Sequence, residues 1–227
     1  MTFTINNIYP WGRTFDEYRR MFALTDADLR GRIVGCADGP ATFNATMRGM
    51  CRRVVSVDPL YQFSGDEIRS RVEATYPLMV ARTTEQYDKF VWNEIASPEA
   101  LAELRISAMR AFIDDFDAGR REGRYLIGSL PAVDLPDDSF DLALCSHYLF
   151  LYSADVAYET HVASVREMLR LAREVRIFPL LDMDAKRSRY LDPIISQLRP
   201  EGFHASIDRV PYEFLRGANE MLRITSA

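Results

Sequence analysis

The sequence has few cysteines, no long apolar run and no excess of basic residues. The three cysteines among its 227 residues, Cys36, Cys51 and Cys145, are odd in number and lack the paired spacing of a zinc site. This argues against a disulfide framework, predicts a reducing compartment and leaves no metal site to expect. No stretch approaches the roughly 18 to 20 consecutive apolar residues of a membrane span.

The first eleven residues, MTFTINNIYPW, lack the basic start and apolar core of a secretion signal. We therefore expect a cytoplasmic protein that does not enter a membrane. The 28 Lys and Arg residues are outnumbered by 33 Asp and Glu residues, and the basic run at 119–124 is short. A preformed nucleic-acid surface is excluded because its affinity would come mostly from neutralising phosphates.

Short apolar runs alternate with helical patterns over most of the chain, which favours one α/β domain over residues 1–227. The first two runs flank a helical pattern at 41–50, with Pro40 in its first turn. The last two runs leave no room for a crossover helix and predict an antiparallel hairpin at one edge. The fold class is therefore a doubly wound, mostly parallel seven-stranded sheet, with strands expected at 32–36, 52–59, 124–130, 140–147, 174–181, 204–214 and 219–227.

Residues 60–123 carry helical faces but no strand pattern, and they far exceed the dozen or so residues that a crossover needs. We interpret this segment as a helical insertion after the second strand and predict that it forms a lid over the site. Its aromatic residues line a pocket or, as is more common for aromatics at helical spacing, belong to the core. These residues are Tyr61, Phe63, Tyr76, Tyr87, Phe90 and Trp92.

A turn with two glycines follows the first predicted strand, at Gly35 and Gly39. In open α/β sheets, ligands bind at the carboxyl ends of the strands, where backbone amides and a helix N-terminus converge. Asp58 ends the second predicted strand, 19 positions after Gly39, near the spacing at which a carboxylate accepts hydrogen bonds from ribose hydroxyls. Together these features predict a site for a nucleoside-containing ligand.

The segments RIVGCADGPATF, VVSVDP and GSLPAVDLPDDSFDLALCSH, with the terminal hairpin, resemble the class I S-adenosylmethionine-dependent methyltransferases that act on small molecules. The resemblance covers most of residues 30–227 apart from the insertion. It implies S-adenosylmethionine as cofactor and a small-molecule methyl acceptor as partner. The strand-four segment, CSHY, departs from the signature of enzymes that methylate nucleic-acid amines.

The resemblance also implies roles for individual residues. The turn formed by Gly35, Cys36, Ala37, Asp38 and Gly39 would hold the methionine part of the cofactor. Asp58, with Pro59 after it, would bind the ribose, Ser129 and Leu130 the adenine, and Cys145 and Ser146 would face the methionine end or the acceptor.

Three positions depart from the family pattern. Ile33 and Ser129 each stand where the family usually has an acidic residue, and Ala37 stands where it usually has a glycine. Asp38 either supplies the missing charge toward the ammonium group of the cofactor or caps the following helix. His147 either takes a proton from the acceptor or is satisfied by backbone hydrogen bonds. No catalytic residue is assigned from the sequence.

Phe15, Tyr18 and Phe22 have the spacing of an amphipathic helix ahead of the first strand. This helix either covers the cofactor, with Trp11, Arg13 and Tyr18 as candidates, or simply docks on the sheet.

Two other functions compete with methyl transfer. A dehydrogenase ranks behind, because the turn lacks the third glycine of G-x-G-x-x-G. A catalytically silent protein that binds S-adenosylmethionine as scaffold or sensor is the alternative that Ile33 and Ala37 favour. The acceptor and the oligomeric state stay open.

Overall fold

The computed structural model describes residues 11–226, and residues 1–10 and 227 lie outside the described part. The prediction that the N-terminus carries no secretion signal rests on the first eleven residues, nearly all of which lie outside it. Within residues 11–226, no helix combines the length and the apolar character needed to cross a bilayer.

The strands of the described chain form one seven-stranded sheet in the order β3-β2-β1-β4-β5-β7-β6. Strands β1 to β5 are parallel, and β7 pairs antiparallel with both β5 and β6. This confirms the predicted doubly wound sheet with a terminal hairpin. The bounds are β1 Arg32–Cys36, β2 Arg53–Val57, β3 Tyr125–Leu126, β4 Phe140–Ser146, β5 Ala172–Phe178, β6 Phe203–Arg209 and β7 Glu220–Ser226.

Helices cover both faces of this sheet. Alternate residues of β4 point to opposite faces, so Ala143 packs in the cluster that includes α5 and α6, while Leu142 and Leu144 pack with α1 and α2. The near-continuous apolar runs of the sequence are thus explained by burial on two sides. The helix bounds are α1 Phe15–Met21, α2 Phe43–Gly49, α3 Gly65–Glu85, α4 Pro98–Arg121, α5 Tyr158–Leu171 and α6 Leu191–Leu198.

The third and fifth strands are among those that end earlier than predicted. The strand expected at 124–130 is only two residues long, because its one neighbour, β2, ends at Val57 and leaves nothing to pair beyond Leu126. β5 ends at Phe178, since Pro179 has no amide hydrogen for a further ladder bond.

Two other prolines lie outside the elements predicted to include them. Pro40 precedes α2, which begins only at Phe43, because the Thr42 amide donates to the Arg13 carbonyl oxygen at 2.9 Å and ties the turn to the N-terminal segment. β6 ends at Arg209 rather than reaching 214, before Pro211.

The insertion is helical, as predicted, and consists mainly of α3 and α4, which pack on each other. Of its aromatic residues, Tyr61 is fully buried and packs against Phe112, Phe116 and Tyr125, so it belongs to the core. Phe90 stacks on Phe214 of the loop between β6 and β7, with ring centroids 4.7 Å apart. The role of the insertion as a lid stays a prediction.

Candidate functional site

The strand order places the candidate site at the carboxyl ends of β1, β2 and β4. β1 lies between β2 and β4, so the chain winds away from it in opposite directions and a crevice opens at this switch point. The structure brings three of the predicted features together there: the turn at 35–39, Asp58 after β2, and Ser146 at the end of β4.

Asp38 folds back over the end of β1. Its carboxylate accepts hydrogen bonds from the Tyr18 hydroxyl at 2.8 Å and the Ser56 hydroxyl at 2.6 Å. A Cβ atom on Gly35 would lie 1.9 Å from Asp38 Oδ2, so only glycine leaves room for this carboxylate. The prediction that Asp38 caps the following helix is wrong, because no side chain caps α2.

Asp38 is a buried carboxylate that has no cationic partner among residues 11–226. Burial raises the pKa of Asp38 to about 6, although the hydrogen bonds from Ser56 and Tyr18 oppose the shift. No guanidinium or ammonium group is among the causes of this shift. A buried charge without a counterion is costly, and such groups cluster at functional sites.

The inner side of the turn is braced by the protein itself. The Ala37 amide donates to the Val57 carbonyl oxygen at 2.8 Å, and the Gly39 amide donates to Asp58 Oδ2 at 2.8 Å. The Tyr61 hydroxyl donates to the Gly39 carbonyl oxygen, also at 2.8 Å. The outer side is open, because a Cβ atom on Gly39, whose φ is +55°, would meet no atom within 4 Å. Space for a ligand therefore begins at Gly39 rather than at Gly35.

Asp58 holds two local amides. One oxygen accepts from Gly39 and the other from Leu60, at 2.8 and 2.7 Å, so that Asp58 caps the 3-10 turn Pro59–Gln62. Burial raises the pKa of Asp58 to about 6 against these two hydrogen bonds. An ionised carboxylate offers about four acceptor positions, so two remain for further donors.

The segment expected to contact adenine lies beside the end of β2. A Cβ atom on Gly128 would lie 2.8 Å from Val57 Cγ1, which shows how closely the backbone approaches β2. Ser129 is exposed, whereas the Leu130 side chain is buried in the core. Only the backbone of Leu130 and the side chain of Ser129 are thus free to face a ligand.

The thiols of Cys36 and Cys145 point away from the crevice. Both side chains lie in the cluster on the α5 and α6 face, because the pleat of β1 and β4 turns these positions toward it. Burial raises the pKa of Cys145 to about 12 and that of Cys36 well above its usual value, so both thiols stay protonated. The structure therefore places the Cys145 thiol in the core, not on the acceptor side that the resemblance implied.

Ser146 and His147 end β4 beside the turn. Ser146 Oγ lies 2.8 Å from His147 Nδ1. Two separate side-chain hydrogen bonds thus lie at this edge of the sheet, one between Ser146 and His147 and one from Tyr18 to Asp38. The expectation of a histidine ring satisfied by the backbone is wrong, because Nδ1 bonds a side chain and Nε2 bonds nothing within the described residues.

His147 is held in its neutral form. Burial lowers the pKa of His147 well below its usual value, and the positive charges of Arg13 and Arg105 lower it further. The residue has a left-handed φ of +54°, its amide donates to the Phe178 carbonyl oxygen at 2.7 Å, and its ring packs edge-on against Phe178. The imidazole is therefore fixed in place and uncharged at neutral pH.

A buried ion-pair cluster closes the site from the N-terminal side, and sequence reasoning missed most of it. Glu17 on α1 accepts two hydrogen bonds from Arg105 on α4, at 2.5 and 2.6 Å, and one from the Tyr212 hydroxyl at 2.8 Å. Burial opposes ionisation, but the charge and hydrogen bonds of Arg105 outweigh it and hold the pKa of Glu17 well below its usual range.

The signal for this cluster was present in the apolar stripe of α4. Arg105 occupies the stripe between Leu101 and Ala108, and all three side chains are buried. A charged residue at a core position predicts a buried partner of opposite charge. The partner itself cannot be identified from spacing, because Glu17 lies 88 residues away.

The sequence and fold are similar to those of known proteins. The uncharacterized protein MJ0045 of Methanocaldococcus jannaschii is 30% identical over 214 residues, which cover 94% of each chain. The solved structures of the pyocyanin biosynthetic protein PhzM and the mitomycin 7-O-methyltransferase MmcR each match with a TM-score of 0.50, at 15% and 14% identity.

The two solved structures are longer than this protein. The matches cover 93% and 94% of this chain but 54% of PhzM and of MmcR, so the chain spans about half their length. No protein-family model matches the chain. At this low identity the solved structures show the fold alone. The chain therefore belongs to the same family as MJ0045 and has the fold of the class I S-adenosylmethionine-dependent methyltransferases.

Proposed function

We propose that the protein binds S-adenosylmethionine at the carboxyl ends of β1 and β2 and transfers its methyl group to a small molecule. The observation that carries this proposal is the pair of buried carboxylates, Asp38 and Asp58, which have no cationic partner beside the open side of Gly39. S-adenosylmethionine carries an ammonium group that supplies the positive charge Asp38 lacks, and ribose hydroxyls that donate to Asp58.

Each candidate residue then has a defined task. Asp38 faces the ammonium group, and the two free acceptor positions of Asp58 take the ribose hydroxyls. Gly39 admits the ligand without a Cβ in the way, and the Tyr18 hydroxyl holds the Asp38 carboxylate in place. The remaining contacts come from the backbone of Gly35, Cys36, Ala37, Pro59 and Leu130 and from the side chains of Ser129 and Ser146.

Methyl transfer from a sulfonium is an in-line displacement in which charge disperses, so alignment and exclusion of water supply much of the rate. MmcR, which shares the fold, is a mitomycin 7-O-methyltransferase, and an acceptor hydroxyl or amine must release a proton at some point of the reaction. His147 is the proton acceptor in our proposal.

The Ser146 hydroxyl gives His147 the required tautomer. Ser146 Oγ accepts a hydrogen bond from a protonated Nδ1 of His147, and Nε2 then carries the lone pair.

The test separates binding from catalysis. Calorimetry with S-adenosylmethionine and S-adenosylhomocysteine should show binding that falls at least tenfold in Asp38→Asn and stays unchanged in the exposed control Asp134→Asn. Transfer from methyl-labelled cofactor into a metabolite extract should fall about 100-fold or more in His147→Gln, with cofactor affinity retained, and stay unchanged in the exposed control His204→Gln. Absence of cofactor binding by the wild type would refute the proposal.

One observation favours the catalytically silent alternative. The amides of Ala37 and Gly39 and both oxygens of Asp58 already have hydrogen-bond partners within the protein. A protein that binds the cofactor, yet transfers no label to any component of extracts from several sources, would be a sensor or scaffold.

A further inference from the structure

The buried cluster around Glu17 contains two positive charges and one negative charge. Two guanidinium groups, those of Arg13 and Arg105, surround a single carboxylate. The oxygens of Glu17 already accept from Arg105, from Tyr212 and from Thr14. Arg13 Nη1 comes only within 3.6 Å of Glu17 Oε1, which is too far for a hydrogen bond.

Within residues 11–226, several donors of this cluster are shielded from solvent and have no hydrogen-bond partner. These atoms are Nε and Nη1 of Arg13, Nε1 of Trp11 and Nε of Arg105. Burial lowers the pKa of Arg13, and the nearby Arg105 lowers it further, yet a guanidinium stays protonated in proteins. Two buried nitrogen donors of one protonated guanidinium without a hydrogen bond are the arrangement expected of an anion-binding site.

The Arg13 side chain extends from a fixed piece of backbone. Its carbonyl oxygen accepts a hydrogen bond from the Thr42 amide at 2.9 Å, which anchors it to the turn before α2. The Trp11 ring lies beside both guanidinium groups, 5.9 Å from the Arg13 carbon and 5.8 Å from the Arg105 carbon. Cation–π contacts of this kind hold a guanidinium in place while leaving its N–H groups free to donate.

Arg13 belongs to the acceptor side of the crevice. Its charge lowers the pKa values of His147 and Tyr152, which follow β4. Burial raises the pKa of Asp38 and the hydrogen bonds from Ser56 and Tyr18 oppose the rise, without a contribution from Arg13. The charge of Arg13 therefore acts on the proposed proton acceptor rather than on the turn that faces the cofactor.

We propose that Arg13, with the indole N–H of Trp11, binds a carboxylate group of the methyl acceptor. This inference rests on the proposed function, because it takes the substrate of the transfer as the source of the anion. The acceptor class is then a small carboxylic acid that also carries a hydroxyl or amine, which the bound carboxylate places beside His147. The carboxylate completes the charge balance of a cluster that otherwise holds two cations and one anion.

The experiment uses sodium benzoate as probe and benzamide as its neutral match, both added to the protein saturated with S-adenosylhomocysteine. Calorimetry should show that benzoate binds the wild type and benzamide does not. Affinity for benzoate should fall at least tenfold in Arg13→Gln, fall less in Arg13→Lys and stay unchanged in the exposed control Arg52→Gln. Equal benzoate affinity in the wild type and Arg13→Gln, or no benzoate binding at all, would overturn the proposal.

Two further measurements separate the other interpretations. If Arg13→Gln weakens S-adenosylmethionine tenfold but leaves its decarboxylated analogue unaffected, the bound carboxylate belongs to the cofactor and the acceptor assignment is overturned. Benzoate binding by a wild type that fails to bind S-adenosylhomocysteine would refute the proposed function while leaving the anion site in place. The melting temperature of Arg13→Gln should not fall, because the substitution removes one of two buried guanidinium groups that share a single carboxylate; a fall would assign Arg13 to stability instead.

Discussion

The two halves of the crevice carry an excess of buried charge of opposite sign. The turn after β1 and the end of β2 hold two buried carboxylates and no cation, whereas the cluster near the N-terminus holds two guanidinium groups and one carboxylate. Neighbouring residues of α1 serve the two halves, since Glu17 bonds Arg105 and Tyr18 bonds Asp38. One short helix thus braces two regions that require ligand groups of opposite sign.

The difference teaches how to tell a structural ion pair from a binding site. Glu17 and Arg105 satisfy each other, and their hydrogen bonds connect α1, α4 and the loop that carries Tyr212. Within the described residues Asp38 has no partner of opposite charge, and Arg13 shares Glu17 with Arg105 without a hydrogen bond to it. The paired groups are expected to determine stability, and the unpaired groups are expected to determine binding.

The largest effect should follow from breaking the paired half. Glu17→Gln leaves the fully buried Arg105 without a counterion, which should lower the free energy of unfolding by about 3–5 kcal/mol. Urea denaturation would measure this. Glu103→Gln, an exposed position on the same helix as Arg105, should change the stability by less than about 0.5 kcal/mol. A similar, small loss in both variants would mean that the pair is not structural.

A smaller effect should follow from displacing the unpaired carboxylate of the other half. In Gly35→Ala the new methyl group would lie 1.9 Å from Asp38 Oδ2, so the carboxylate must move and lose its hydroxyl partners. We expect a loss of about 1–3 kcal/mol in stability and a measurable loss of cofactor affinity. Gly49→Ala is the matched control, because its Cβ would meet no atom within 4 Å. Equal melting temperatures for the two variants would contradict this account of Asp38.

The pH dependence of cofactor binding sharpens the comparison. A cationic ligand binds the ionised form of Asp38, whose pKa is raised to about 6. Affinity for S-adenosylmethionine should therefore rise about tenfold from pH 5 to pH 7 and level off above. Without ligand, the stability of the fold depends on pH in the opposite direction. The Asp38 carboxyl holds its proton more tightly in the folded protein than in the unfolded chain, so the free energy of unfolding falls as the pH rises from about 4 to about 6. Calorimetry across this range would show a weaker dependence in Asp38→Asn; the same slope in both proteins would exclude Asp38.

The smallest effect concerns His147, which lies between the two halves. Neutralising Arg13 removes one of the charges that lower the pKa of His147, so this pKa should rise in Arg13→Gln. Burial, the largest cause, is unchanged, so the imidazole should stay below its usual value. Nuclear magnetic resonance titration of the ring would measure the shift, with Arg52→Gln as the control. An unchanged value would place Arg13 away from the imidazole.

The sequence was sufficient for the elements that depend on local pattern. The apolar runs predicted every strand, and the period of 3.6 predicted the helices, including the helical insertion. The errors concern the ends of helices and strands, because contacts with other segments of the same chain set where an element ends. β3 stops at Leu126 because β2 stops, and α2 starts at Phe43 because Thr42 bonds Arg13.

The amino-acid sequence by itself determined the alternation of strand and helix, the terminal hairpin and the position of a glycine turn ahead of Asp58, because these follow from periodicity and from the conformational freedom of single residues. Only the tertiary structure decided which charges are paired. Whether Asp38 caps a helix or fills the space above Gly35, and whether an arginine meets a carboxylate, depends on contacts between residues distant in the chain. Such contacts depend on burial and packing, which have no period along the sequence.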